Sequence, residues 1–392
     1  MILIVHGFDP GQRNSHVHKL NYVYETLPRH NIAQVIKQFY EARIDVKLLT
    51  GDYAETAVNI CKQTGIKAYM KHVTGDQVLL MKEEELKNTV EAVSLFVRMF
   101  PEAKQQVINA LKSNGYIVAM TGDGVNDAPA LKASDIGIAL GKKGTEMAKQ
   151  AADLIITDDD LGKVVEAIRQ GRKIFSNLKK AIRYIISIHI PIILTAAVPV
   201  LLGWKYPHIF TPIHIIFLEL IMGPTCSIFF EREPVEDNIM VLPPRKRSIS
   251  LFEQDELLIS IVQGLIITIG VLWLYHFSMN NGASFYHTRT LVYTTLVISN
   301  IFLTFANRSF TENFVKTIHY KNRLAPWILL ISILFLAVIY FVPLIQSIFG
   351  LSTITLTDFL LCTGVAFIAV FWFEIYKTNL YKPEQPVIRK RW

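Results

Sequence analysis

Cysteine is scarce in this chain: Cys61, Cys226 and Cys362 are the three in 392 residues. An odd number at such wide spacing excludes a disulfide framework and a CxxC metal site, leaving reduced thiols in a cytoplasm and a membrane as the plain reading. A secretory leader is also lacking, because Met1-Ile-Leu-Ile-Val5 is too short an apolar run and has neither a basic start nor a small-residue cleavage site. Acidic residues number 33 against 40 lysines and arginines, yet the basic excess does not gather into one compact stripe. The basic residues of the second half lie between long apolar runs, which marks them as membrane-flanking and gives no nucleic-acid partner.

Apolar residues, in contrast, make up 51% of the chain while 19% of residues are charged, a mixture that implies a soluble part joined to a part in a lipid bilayer. The join falls near residue 180. Before it, apolar runs such as Val46 to Leu49 and Ile117 to Met120 alternate with helix-like stretches, Asn31 to Tyr40 and Ala103 to Leu111 among them. That alternation predicts an α/β layer with a mainly parallel sheet. After it come six apolar runs, roughly 185–203, 212–230, 257–277, 291–306, 326–346 and 355–375, each near the ~20 residues of a membrane helix. Arg232, Arg245, Lys246, Arg247, Arg308, Lys316, Lys321 and Arg323 fall in the loops on one side, with Lys377, Lys382, Arg389, Lys390 and Arg391 in the tail. The opposite loops hold little more than Lys205 and Arg289. The soluble part and both ends are therefore expected on the cytoplasmic side.

The stretch MTGDGVNDAPALK, Met120 to Lys132, follows an apolar run and crowds Asp123, Asn126 and Asp127 into one turn. Carboxylates at the carboxyl end of a strand in a parallel sheet sit where such folds bind ligands, and this pair suits Mg2+. Phosphate chemistry is the natural use of that ion. Thr50-Gly51-Asp52 ends another strand and offers a hydroxyl and backbone N–H groups, while Lys104 opens a helix and can neutralise phosphate charge. Together they resemble the phosphotransfer set of a haloacid-dehalogenase-like domain. A second Thr-Gly-Asp, Thr74 to Asp76, follows Met70-Lys-His-Val73, not an apolar strand, and is read as a turn.

TGDYAET, MFPEAK, MTGDGVNDAPALK, SDIGIAL and IFSNLKKAIRYIIS together make the chain resemble, from about residue 32 onward, the carboxyl-terminal part of a P-type cation-transporting ATPase, closest to the calcium-pump-like branch. The resemblance implies a partial, Rossmann-like phosphorylation domain over 32–165, a stalk helix over 166–184, an all-α membrane domain of six helices over 185–376 and a basic cytoplasmic tail over 377–392; residues 1–31 stay unassigned. It implies use of ATP and Mg2+, with Thr50 and Lys104 contacting a phosphoryl group, Asp123 ligating Mg2+, Asn126 and Asp127 holding that arrangement, and Asp52 supporting the phosphate and nucleotide side. An integral, multi-pass protein of the plasma (inner) membrane is the corresponding location.

Other family features do not occur in these residues. No DKTGT carries the phosphorylated aspartate, and there is no room for a nucleotide-binding domain or an actuator domain with its TGE loop. The expectation is a truncated pump, one half of a split pump whose amino-terminal half is a separate chain, or a derived half-pump; a non-catalytic membrane subunit and a membrane-anchored phosphatase are the alternatives. Asp9, in Val5-His-Gly-Phe-Asp9, is a poor substitute nucleophile, and His6, His16 and His18 read as a polar loop or junction rather than a metal site. In the second apolar run Glu219 lies close to a Gly223-Pro224 break that frees backbone carbonyls, which makes it the candidate ligand of a transported cation, Ca2+ or another hard ion. Its alternative is a salt-bridged structural carboxylate. His189, Ile192, Met222 and Gly223 stand where calcium pumps offer polar ligands, and Cys226 is read as a small packing residue rather than a soft-metal ligand.

Overall fold

A computed structural model of the protein describes residues 2–6, 31–224, 228–236, 238–244, 254–310 and 312–379. The chain divides into two compact units, one of residues 1–171 with 237–249 and one of residues 172–236 with 250–392.

Among the described residues the first unit has seven strands: β1 Ile2–His6, β2 Asp45–Leu49, β3 His72–Thr74, β4 Leu95–Val97, β5 Val118–Gly122, β6 Ile136–Leu140 and β7 Leu154–Ile156. They form one sheet in the order β3-β4-β2-β1-β5-β6-β7, and every pairing is parallel. Parallel strands need crossovers that cover both faces, so their side chains are buried along the whole strand rather than alternately. β4 and β5 are buried at every position.

The crossovers are α1 Ile32–Glu41, α2 Ala54–Thr64, α3 Gly75–Leu80, α4 Glu83–Ala92, α5 Pro101–Ser113, α6 Ala128–Ala133 and α7 Glu146–Ala151. Proline at the first position of α5 has the helical φ preset and gives up only an amide that would lack a helical partner. Gly65 ends α2 at φ 76°, in the left-handed region that glycine enters at no steric cost. The second Thr-Gly-Asp is not the expected turn: Thr74 ends strand β3 and Gly75 opens α3, with the Thr74 hydroxyl accepting from the Gln77 amide and the Gln77 side chain accepting from the Thr74 amide, a reciprocal cap. Lys47 is buried in β2, where its ammonium donates to the Val93 carbonyl at 2.7 Å. Burial pushes its pKa down to about 8.

One boundary changes. Residues 1–31 carried no assignment, yet Ile2–His6 is a central strand, with Ile2 opposite Asp45 on one side and Val118 on the other. Of the remainder, 7–30 lie outside the described residues, including Asp9, His16 and His18.

The second unit is helical, and the expected stalk and first span are one helix, α8 Gly162–Leu201, whose first turns still belong to the first unit. Then come α9 Pro212–Pro224, α10 Gln254–Asn280, α11 Phe285–Ala306, α12 Phe314–Thr317, α13 Ala325–Phe341, α14 Pro343–Phe349 and α15 Leu356–Asn379. Among the described residues four helices, α8, α10, α11 and α15, are long and apolar enough to cross a membrane, or five spans if α13 and α14 count as one. The remaining differences from six straight spans have backbone causes. The fifth run bends by 92° because Val342, held extended at φ −106° and ψ 104°, precedes a proline. In the second, α9 stops after 13 residues at Gly223-Pro224, and 225–227, Cys226 included, lie outside the described residues.

The most buried of the spans is α11, although it carries many hydroxyls. Thr290, Thr294, Thr295 and Thr304 each donate to the carbonyl four residues back, at 2.6 to 2.8 Å, so these four hydroxyls are satisfied within the helix. Gly264 lets α10 approach α8 closely, since a Cβ there would stand 2.9 Å from the Ser187 carbonyl oxygen.

Three basic residues counted as loop or tail charges are built into the helical unit. Arg308 is buried, its Nη2 3.1 Å from Glu233 Oε1, and Asn322 donates to the same oxygen at 2.8 Å. Arg289 donates to the Ile209 carbonyl at 2.7 Å. Lys377 belongs to α15 rather than to a tail, giving its protons to the Ala306 carbonyl at 2.6 Å and to Glu374 at 2.7 Å. The tail beyond residue 379 lies outside the described residues.

Candidate functional site

The carboxyl ends of β2, β1 and β5 lie side by side on one edge of the sheet, because Leu49 pairs with His6 and Ile4 with Met120. Strands are about 4.8 Å apart, so the chain leaves β2 at Thr50 and β5 at Asp123 with a gap of roughly 10 Å between them. Crevices of this kind are where parallel α/β sheets take their ligands.

Thr50 is buried and its backbone is fixed twice: its amide donates to Phe96 O at 3.0 Å and its carbonyl accepts from Met99 at 2.9 Å. The Thr50 hydroxyl accepts from the Asp52 amide at 3.1 Å, folding Thr50-Gly51-Asp52 into a tight turn. Gly51 is exposed on it, and Asp52 is half-buried.

On the other side of the gap the turn is organised by Asp127. Its Oδ1 accepts from Lys104 Nζ at 2.7 Å, with side chains only 1% and 2% exposed. Its Oδ2 accepts from the amides of Asp123 at 3.3 Å and Gly124 at 3.2 Å. A Cβ on Gly122 would come within 2.6 Å of the Asp127 Cβ, so only glycine lets the strand end this close to the carboxylate. The Asp123 carbonyl is held by the Thr145 amide at 2.8 Å, while Asp123 itself is half-buried and Asn126 is exposed.

Four expected residues, Thr50, Lys104, Asp123 and Asp127, thus come to one edge of the sheet, with Asp52 and Asn126 in the two flanking turns. Asp127 and Lys104 are the buried support of the turn, and Asp123 is the carboxylate left at its mouth. Among the described residues no group of three or more His, Cys, Asp or Glu side chains is gathered for a metal. Sequence reading passed over Gly122, Thr145, and also Asp159, which is buried at positive φ and accepts from the Lys142 and Lys143 amides; the glycine ahead of the aspartate was the visible signal.

The second candidate, Glu219 on α9, is joined to α8. Its Oε1 lies 3.1 Å from His189 Nε2, and the two side chains are 48% and 36% exposed. The other imidazole nitrogen, Nδ1, is 2.8 Å from the Ile185 carbonyl. Pro224 has no N–H to give to the carbonyl of Leu220, next to Glu219. Ile192 and Met222, also at expected ligand positions, are buried apolar side chains.

Residues 207–378 match the family described as cation transporting ATPase, C-terminus, and residues 8–135 match haloacid dehalogenase-like hydrolase. Calcium-transporting ATPase 1 of Saccharomyces cerevisiae is 31% identical over 338 residues, 85% of this chain and 35% of the relative. Calcium-transporting ATPase 1 of Bacillus cereus is 33% identical over 352 residues, 84% of this chain and 39% of the relative. Human calcium-transporting ATPase type 2C member 1 is 31% identical over 352 residues, 89% of this chain and 38% of the relative. The chain therefore spans well under half the length of these relatives.

Proposed function

Since this chain belongs to the P-type cation-transporting ATPases, of which it holds a carboxyl-terminal portion, we propose that it supplies the Mg2+-phosphate half of a phosphotransfer site and part of the membrane route of an ATP-driven cation pump. The observation that carries this reading is the convergence of Thr50, Lys104, Asp123 and Asp127 at one edge of a parallel sheet in a chain that also carries apolar helices of membrane length.

In this reading Asp123 holds Mg2+, which when bound neutralises charge on phosphoryl oxygens. The Thr50 hydroxyl and the amides of its turn hold the phosphate, with Asp52 on the nucleotide side. Lys104 contributes positive charge to the phosphoryl group while its bond to Asp127 fixes both groups, and Asn126 lines the mouth of the turn. The phosphorylated carboxylate and the ATP pocket come from amino-terminal modules, as a separate chain in a split pump. Glu219 is the cation ligand. The curated relatives are named for calcium transport.

The test joins this chain to the amino-terminal modules of a close relative and follows phosphorylation from labelled ATP. Asp123→Asn is expected to reduce phosphorylation by about 10²–10³-fold, and Glu219→Gln to weaken cation activation at least ~10-fold. Full phosphorylation in Asp123→Asn would remove the Mg2+ assignment.

The reading places both termini and the loop after α9 on the cytoplasmic side of the plasma (inner) membrane. It is supported by Met240, which follows α9 and packs into a core of the first unit, so the chain has returned to the side of the sheet after α8 and α9. With native thiols removed, Lys321→Cys should react with an impermeant maleimide only in inside-out vesicles and Asn281→Cys only in right-side-out ones. Outside labelling at 321 would overturn this topology.

A further inference from the structure

The helix α8 changes character at residue 172. Ahead of it the exposed positions include Lys163, Glu166, Arg169 and Gln170, as on any solvated helix. From 172 to 200 the exposed positions are Ile174, Leu178, Ile185, Ile193 and Val200, all of them aliphatic. At about 100° per residue these five fall within about 100° of one another around the helix, so they make one stripe along it.

Lipid covers part of such a stripe but not all of it. At 1.5 Å per residue it is about 39 Å long, against about 30 Å for the hydrocarbon core of a bilayer. Ile174 and Leu178, 66% and 48% exposed, share their stretch with Arg172, Lys173, Lys179, Lys180 and Arg183, which belong to the water side. The same two side chains line a cleft of about 390 Å3 with Ile182 and Ile185 of α8 and with Glu231, which follows α9. Asn177 donates to the Glu231 carbonyl at 3.2 Å and so fixes that residue beside α8, while the Glu231 side chain makes no ion pair among the described residues. An apolar cleft in water with a lone carboxylate at its rim marks a surface for a partner.

We propose that this stripe is the docking surface for one membrane helix of the amino-terminal part carried by the longer relatives, of which this chain matches 35% to 39%. The helix is apolar across the bilayer, stays apolar past it on the side of Ile174, and carries Lys or Arg level with Glu231. The proposal rests on the reading of this chain as a pump portion completed by amino-terminal modules, and it names the surface that receives them. A helix is the occupant because a straight stripe of membrane length lies mostly in lipid, where a single added segment must satisfy its own backbone. A second copy, related by a two-fold axis along the membrane normal, would set Glu231 and its equivalent on one rim, where like charges repel. The two ends of the stripe contribute differently. Within the bilayer only side-chain packing favours the contact, because lipid replaces whatever the helix leaves. At Ile174 and Leu178 apolar surface leaves water, so those two residues supply the hydrophobic effect.

The test reconstitutes the donor-labelled full chain in phosphatidylcholine vesicles. The probe is the acceptor-labelled portion of the Bacillus cereus relative that precedes its matched segment. Energy transfer should saturate at one probe per chain. Ile174→Asn with Leu178→Asn should weaken association by about tenfold or more, Glu231→Lys by about threefold or more, and Ile193→Ala by less than about twofold. Circular dichroism should show wild-type helix content in each variant, since the substituted positions are exposed. Ile174→Ala with Leu178→Ala, which any helix tolerates, should still weaken association by about fivefold. Association unchanged in both double variants overturns the proposal. Transfer between differently labelled copies of the full chain, abolished by the same variants, gives the stripe to a second copy and overturns it as well. Absence of any transfer also overturns it. The wider reading is then decided by the joined protein described above, and it stands if that protein is phosphorylated from ATP and falls if it is not.

Discussion

Replacing Lys104 with methionine lowers the stability of the sheet unit by about 3–5 kcal/mol, because Asp127 loses its ammonium partner in a site where both side chains are almost wholly buried. The amides of Asp123 and Gly124 still donate to the other Asp127 oxygen, yet neutral dipoles do not replace a full charge at 2.7 Å. Amide hydrogen exchange of β5 and β6 in the full chain measures the change, and the slowest amides should lose at least about two orders of magnitude of protection. Arginine at this position should not rescue it, since its longer planar fork does not fit a slot shaped for one ammonium. Asp127→Asn alone should also destabilise by leaving Lys104 charged, while Lys104→Met combined with Asp127→Leu should recover part of the loss. Protection in Lys104→Met equal to wild type would show that the pair contributes little.

Incubated with γ-labelled ATP and Mg2+, the 392-residue chain acquires no hydroxylamine-sensitive label. Residues Ile2 to His6, in the strand between the Thr50 and Asp123 ends, include no carboxylate, and an acyl phosphate needs one as nucleophile. Mg2+ and phosphate ligands can position and stabilise a transferring group without accepting it. A labelled band that disappears in Asp9→Asn would overturn the expectation and make the chain a phosphate-accepting enzyme.

The two turns at the sheet edge were legible because part of each is local. Thr50-Gly51-Asp52 and the stretch from Gly122 to Asp127 end apolar runs, and each turn has short-range bonds of its own, although Phe96, Met99, Lys104 and Thr145 hold them from afar. Long-range pairings were not legible. Ile2–His6 is a short apolar run whose partners are β2 and β5, and nothing within it specifies a central position. The same holds for Arg308, which reads as a loop charge until it meets Glu233 across the fold, and for His189, which stands only as a departure from a polar ligand until its distance to Glu219 is known. The fifth apolar run carries no hydropathy signal of its bend, because hydropathy is blind to Val342 being extended before Pro343.

The central position of β1 also sets the order in which the protein can form. Ile2 pairs with Asp45 and with Val118, so β1 must wait for β2 and β5 to leave the ribosome before both its edges are closed. Non-local parallel pairing is slow, since the entropy of closing a long loop is lost before any contact offsets it. Until then β1 offers unpaired backbone edges, the state in which strands pair with the wrong chain. Translation brings out all seven strands before the first apolar run of α8, and the Met240 segment after α9. Slowing synthesis between residues 122 and 185 should therefore raise the yield of correctly folded protein, and deleting the first six residues should release β2 and β5 into aggregates.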